Sequence, residues 1–164
     1  MKNPSAIDQK VLSWEDALRR VAQWRVLDKS IAFTNGCFDI LHRGHIASLS
    51  DAAREADFLV VGLNSDASTR RLKGPERPIN DERARAIVLA SLLMVDAVVI
   101  FDEDTPLELI KALSPDVLVK GGDYSIETIV GAREVMERGG RVVVNPIVEG
   151  FSTTNIANKI KSGD

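Results

Sequence analysis

Thr34-Asn35-Gly36-Cys37-Phe38-Asp39-Ile40-Leu41-His42-Arg43-Gly44-His45 follows the apolar run Ile31-Ala32-Phe33. After it, Ile46, Leu49, Ala52 and Ala53 recur at helical spacing. The order reads as strand, glycine-containing turn, helix. A helix N-terminus presents unpaired backbone N–H groups and a partial positive charge, and together these seat an anion. His42 and His45 are the 2 histidines of the chain, and a spacing of three puts them on one side of the helix. Either alone would ordinarily be a cap or a packing residue. Both together, beside Gly44 in a strand-to-helix turn, point to function at an anion site.

Downstream, Phe58-Leu59-Val60-Val61-Gly62-Leu63 is a continuous apolar run, the mark of a strand buried on both faces. Asn64-Ser65-Asp66 follows at its carboxyl end, where ligands sit in open parallel sheets. Asn64 and Asp66 are equally good turn formers through local side-chain bonds. Arg70 to Pro78 reads as a loop, with one glycine and two prolines. It carries a run of cations including Lys73, either a solvated face or a basic loop able to close over a phosphate. Asn80 is the expected cap of a helix with Ala84, Ile87, Val88, Ser91 and Leu92 on its apolar face. Arg85 lies in its second turn, as an exposed arginine or a phosphate ligand.

Ala97 to Ile100 and Val117 to Val119 are further strands, separated by a helix from Thr105 to Leu113 with Pro106 at its start. Lys120-Gly121-Gly122-Asp123-Tyr124 comes directly after the fourth strand. Its glycines let backbone approach a ligand, and Asp123 can accept from an amine or hydroxyl. A helix from about Ile126 to Arg138, ended by Gly139-Gly140, and a strand from Arg141 to Val144 close the alternation. Ser152, Thr153 and Thr154 open a last helix, as caps or as phosphate donors, two roles that are compatible.

Before the first strand, Met1 to Leu12 reads as a poorly ordered lead-in. Ser13 then caps a helix striped by Trp14, Ala17, Leu18 and Val21. The whole reads as an α/β, Rossmann-like, doubly wound parallel sheet of five strands with helices on both faces, preceded by an N-terminal helix. Residues 1–29 form the N-terminal extension and helix, and 30–164 the main domain. The first strand of the alternation is expected at the centre, with the chemistry at the switch point.

A chain of 164 residues with 45% hydrophobic and 27% charged residues supports one soluble domain with a core. A net charge of −3 gives no case for nucleic-acid or membrane binding. The 1 cysteine, Cys37, rules out an internal disulfide and suits a reducing cytosol. Cys37 lacks a base partner in sequence and reads as a small packed residue. The first ten residues are too polar for a signal peptide. These features lead to the expectation of a cytoplasmic enzyme. There is no G-x-G-x-x-G turn, no Walker lysine motif and no Cys/His cluster, so no metal ligand is assigned.

With these elements placed, the opening stretch resembles the HxGH nucleotidyltransferases, small adenylyl- and cytidylyltransferases with the signature GxFDxxHxGH. Gly36, Phe38, Asp39, His42, Gly44 and His45 match it in full. The resemblance extends from about residue 30 to 161. It is greatest to the adenylyltransferases that make ADP-heptose from D-glycero-β-D-manno-heptose 1-phosphate, through Thr34 to His45, Val61 to Asp66, Lys120 to Tyr124 and Ser152 to Ile156. It implies AMP transfer from ATP to a sugar 1-phosphate, with Mg²⁺ on the phosphates and pyrophosphate released, in lipopolysaccharide precursor synthesis.

The resemblance also implies roles. His42, His45, Lys73 and Thr153 are the catalytic candidates, with the histidines donating to the triphosphate and the α-phosphoryl group. Lys73 and Arg85 neutralise the β,γ-phosphates, helped by Ser152, Thr153 and Thr154. Thr34, Asn35, Gly36, Cys37, Phe38, Asp39 and Gly44 admit the nucleotide, with Asn64 and Asp66 in the same crevice. Lys120, Gly121 and Asp123 hold the nucleoside or sugar end. Related enzymes are homodimers, which gives Trp14 and Trp24 a possible interface. Many carry a fused sugar kinase, and a chain of this length is expected to be the stand-alone form with a separate kinase. Glycerol-3-phosphate cytidylyltransferases are also similar, but show Arg-Thr-Glu-Gly where Ile147-Val148-Glu149-Gly150 stands, and Gly-Asp-Asp-Trp in place of Gly121 to Tyr124. A third reading is a nucleotide-binding regulatory module without catalysis.

Overall fold

The computed structural model describes residues 3–146 and, beyond them, Thr153, Ile156, Lys159 and Ile160. Its sheet consists of β1 (Val11–Leu12), β2 (Ile31–Gly36), β3 (Phe58–Asn64), β4 (Ala97–Phe101), β5 (Val117–Gly121) and β6 (Arg141–Asn145). All pairings are parallel, in the order β1-β4-β3-β2-β5-β6. The chain runs outward from β2 to β3 and β4, then crosses back to β5 and β6. The central strand β2 therefore lies at the switch point, and its carboxyl end opens into a crevice.

The apolar runs become strands because both faces of the sheet are covered. Alternate residues feed two core layers. Ile31, Phe33, Val60, Val99 and Leu118 face α2 (Trp14–Val26), α6 (Leu107–Leu113) and α7 (Ala132–Glu137). Ala32, Leu59, Val61, Leu63, Val98 and Val119 face α3 (Arg43–Ala53) and α5 (Glu82–Ala90). Gly62 belongs in β3 because a Cβ there would lie 2.7 Å from the Phe33 ring. This is the doubly wound architecture expected from the alternation, with six strands in place of five.

The sixth strand comes from the segment expected to be poorly ordered. A one-turn helix, α1 (Ser5–Asp8), leads into β1, which pairs Val11 with Val98 and Leu12 with Val99. Lys10 secures it by donating from Nζ to the Val95 carbonyl at 2.7 Å. Two residues carry no readable period. Ser13 does cap α2, accepting from Asp16 N at 3.1 Å. The tryptophans are committed within the chain: Trp24 stacks on Phe58 at 4.2 Å between ring centroids, and Trp14 Nε1 donates to the Ile100 carbonyl.

Three further boundaries differ from expectation. Arg70 to Lys73 are not loop but the end of α4 (Asp66–Lys73), because Ser65 caps it by accepting from Ser68 N, and the loop starts at Gly74. Asp81 rather than Asn80 caps α5, accepting from Ala84 N at 2.8 Å. The buried face of α5 is Arg85, Ala86, Leu89 and Ala90, leaving Val88 exposed. An arginine in the core had displaced the apparent apolar stripe. The helix expected over 126–138 is a short 3₁₀ turn at Ile126–Thr128 and then α7. Between them Gly131 has φ 86°, and a Cβ there would lie 2.6 Å from Ile110 Cδ1.

Candidate active site

The carboxyl ends of β2, β3 and β5 border a cleft of about 770 Å³. Its floor is the turn Asn35 to Asp39 and the start of α3, with His42 and His45 on its wall. His42 is the N-cap of α3 in an extended conformation, and its carbonyl accepts from His45 N at 2.9 Å. The two imidazoles stack, with ring centroids 3.9 Å apart and planes 23° from parallel. Phe38 has a left-handed φ of 44° and meets His45 edge-on at 5.4 Å. That ring lies over Gly36, where a Cβ would be 3.0 Å from Phe38 Cε2. Signature positions Gly36, Phe38 and His45 thus explain one another.

Burial and the neighbouring imidazole hold the pKa of His45 down to about 4, and burial also lowers that of His42. Both rings are therefore neutral at pH 7, as N–H donors rather than fixed cations. A bound polyphosphate shifts both values upward by favouring the protonated form. The effect on stability has a definite sign. The unfolded state binds a proton at His45 below about pH 6.5, while the folded state does not until about pH 4. The contribution of His45 to stability is complete above about pH 6.5 and is lost as the pH drops toward about 4. Urea unfolding between those values should show this slope, and His45→Gln should flatten it.

The sequence candidates separate into groups. Asn35, Gly36, Cys37, Phe38, Asp39, His42, His45, Asn64, Lys73, Lys120 and Thr153 line the cleft. Lys73, the last residue of α4, is exposed there. Lys120 donates from Nζ to Asn35 Oδ1 at 3.1 Å and lies 6.0 Å from the Tyr124 ring, and burial lowers its pKa. Thr153 Oγ1 donates to the Ile40 carbonyl at 3.3 Å, which brings this part of the last helix to the signature turn. Ser152 and Thr154 lie outside the described residues.

Thr34, Gly44, Gly121 and Asp123 are not on the cleft wall. Thr34 is buried within β2, and Asp123 is exposed. Gly121 ends β5 opposite α3, where a Cβ would lie 2.8 Å from Ser48 Oγ. Its lack of a side chain serves packing.

Arg85 and Asp66 differ most from expectation. The Arg85 side chain is 1% exposed. Its Nη1 donates to the carbonyls of Cys37 at 2.5 Å and Asn64 at 2.9 Å. Its Nε donates to the Asn80 carbonyl at 3.0 Å, and its Nη2 to Asp66 Oδ1 at 2.7 Å. Asp66 N in turn donates to Glu82 Oε2 at 2.8 Å. Arg85 is therefore an internal tie joining the signature turn, the end of β3, α4 and the entry to α5. It does not face the cleft, and its donors are already committed.

Sequence reasoning missed part of the wall. Pro106, Thr128, Ile129 and Val130 form it. The last three were hidden in a presumed continuous helix. Arg77 also lines the cleft. In the sequence it was one member of a charge run.

This fold places a stacked histidine pair at a helix N-terminus, with lysines around the same cleft, at the topological switch point of the sheet. A cytidylyltransferase-like family model matches residues 33–159, and the chain belongs to that family. It is 56% identical over 160 residues to the bifunctional protein HldE of Mesorhizobium japonicum, covering 98% of this chain and 32% of that protein. It is 58% identical over 150 residues to the HldE of Koribacter versatilis, covering 92% and 31% respectively. The chain thus spans about a third of the length of these curated relatives. A lipopolysaccharide core biosynthesis protein from Thermoplasma volcanium aligns with a TM-score of 0.58 and 29% identity, over 73% of this chain and 97% of that one. Pantoate-β-alanine ligase from Francisella tularensis aligns with a TM-score of 0.58 and 15% identity, over 93% and 77%, a likeness of fold alone.

Proposed function

We propose that this chain transfers AMP from ATP to D-glycero-β-D-manno-heptose 1-phosphate, giving ADP-heptose and pyrophosphate for lipopolysaccharide synthesis. The observation that carries this reading is the stacked His42–His45 pair at the N-terminus of α3, inside a cleft that also collects Lys73 and Lys120. An oxygen of the sugar phosphate, ionised at neutral pH, attacks the α-phosphorus and forms the new P–O bond. The bond between the α-phosphorus and the bridging oxygen breaks, and pyrophosphate leaves with the electron pair. No general base is required. Positioning and charge stabilisation supply the catalysis. The histidines donate toward the α-phosphoryl oxygens, and Lys73 neutralises charge on the departing phosphates.

The heptose assignment is supported by the Lys120 to Tyr124 run and by the similarity to HldE proteins and to a lipopolysaccharide core biosynthesis protein. Mg²⁺, when bound with the triphosphate, would neutralise part of its charge. Among the described residues no three His, Cys, Asp or Glu side chains converge to hold a metal. No helix among the described residues is long and apolar enough to cross a membrane. On this reading the enzyme is a cytoplasmic homodimer, supplied with its sugar phosphate by a kinase. The test is pyrophosphate release with heptose 1-phosphate plus ATP or CTP, and with glycerol 3-phosphate in place of the sugar. Release with ATP and the heptose is expected. Preference for CTP or for the polyol phosphate would overturn the specificity, and ATP binding without any transfer would favour a regulatory module.

A further inference from the structure

The signature aspartate raises a question that the proposed reaction does not answer. The Asp39 side chain is 1% exposed, yet its carboxylate is fully engaged inside the protein. Oδ2 accepts from Arg77 Nε at 2.6 Å and from Ile79 N at 2.9 Å. Oδ1 accepts from Ile79 N at 2.8 Å and from Asn80 N at 3.0 Å. Asn80 Nδ2 closes the ring by donating to the Asp39 carbonyl at 3.0 Å. Burial alone would raise the pKa of this carboxyl, but the amides of Asn80 and Ile79 and the Arg77 guanidinium outweigh it and hold it low. A carboxylate with its acceptor sites occupied in this way has little left for a ribose or a cation. Its contacts all lead to one place, the loop that carries Arg77.

Arg77 is the opposite of Arg85. Only its Nε is committed, and neither terminal nitrogen has a hydrogen-bond partner among the described residues. Its side chain is 20% exposed and lines the same cleft as Lys73, His42 and His45. A guanidinium fixed at Nε presents Nη1 and Nη2 as a fork matched to phosphate oxygens. Arg77 N also donates to the Gly74 carbonyl at 3.1 Å, which holds the loop as a turn between Gly74 and Pro78.

We propose that Arg77 is a binding residue for the polyphosphate end of the nucleotide, and that Asp39 is the residue that positions it. This rests on the nucleotidyl-transfer reading. Preorganisation is the gain: the long side chain is ordered before the ligand arrives, so less entropy is lost on binding. The contact also persists to the departing pyrophosphate, which bears the same oxygens.

The experiment is calorimetric titration of inorganic pyrophosphate, with Mg²⁺, into the wild type, R77Q, R77K, D39N and R70Q. Arg70 is exposed and borders a different groove, so R70Q removes the same charge away from the site. Losing a charged bidentate contact should weaken pyrophosphate binding about 10- to 100-fold in R77Q. R77K should recover part of this and R70Q should bind as the wild type does. D39N should weaken binding as R77Q does, with no further loss in the double variant, because both act through one guanidinium. Thermal melts identify any loss due to unfolding, and R77Q carries the test if D39N is unstable. R77Q binding pyrophosphate within twofold of the wild type would overturn the inference. So would unchanged pyrophosphate binding with a raised KM for the sugar phosphate, which would give Arg77 to the acceptor. Failure of the wild type to bind either ATP or pyrophosphate would instead remove the nucleotidyl-transfer reading itself, and this inference with it.

Discussion

Replacing His45 with alanine lowers turnover about 10²–10³-fold, the scale of losing one preorganised donor to a charge that develops in the transition state. The ring belongs to the stacked pair at the start of α3 and is held there by Phe38 on one side and His42 on the other. Neutral imidazoles bind the free nucleotide less strongly than fixed cations would. Their donors matter most as charge grows on the α-phosphoryl group. The effect should therefore fall on kcat more than on the KM for ATP, and initial-rate kinetics read the two separately. His45→Ala with full turnover would remove the pair from the chemistry. A loss confined to KM would make it a ground-state binder only.

The second large effect is on stability. Arg85→Met removes a buried guanidinium that four groups share: the carbonyls of Cys37, Asn64 and Asn80, and the Asp66 carboxylate. Breaking such a network leaves buried acceptors without donors and should cost about 3 kcal/mol. For a domain of this size that corresponds to a melting temperature lower by roughly 6–12 °C. Calorimetry measures it directly. A direct phosphate ligand would behave differently, with an unchanged melt and a raised KM for ATP. The structure gives Arg85 to the scaffold, and this comparison separates the two roles.

The contrast between Arg77 and Arg85 also marks what could be read from residues alone. The alternation of apolar runs with helical periods was enough for the doubly wound sheet and for the central place of β2, because burial on both faces leaves a plain signature. The histidine pair was equally legible, since strand, glycine turn and helix fix where both rings must go. The two arginines were not. A core arginine and a cleft arginine are the same letter, and the difference lies in which carbonyls and carboxylates the fold brings within 3 Å. Burying Arg85 also shifted the apparent apolar stripe of α5. Similarly, Asp39 reads as a ligand within a signature, yet its partners, Arg77 to Asn80, are about forty positions away. Two-residue β1 is too short to show a period at all.

The proposed reaction carries the α-phosphorus of ATP into the sugar nucleotide, and a label on that atom follows it. The wild-type protein would be incubated with ATP labelled at the α-phosphorus, heptose 1-phosphate and Mg²⁺, and the products separated. Label is expected in the sugar nucleotide, in step with release of unlabelled pyrophosphate. Label appearing only as free AMP or ADP, with no sugar nucleotide formed, would contradict the proposed reaction.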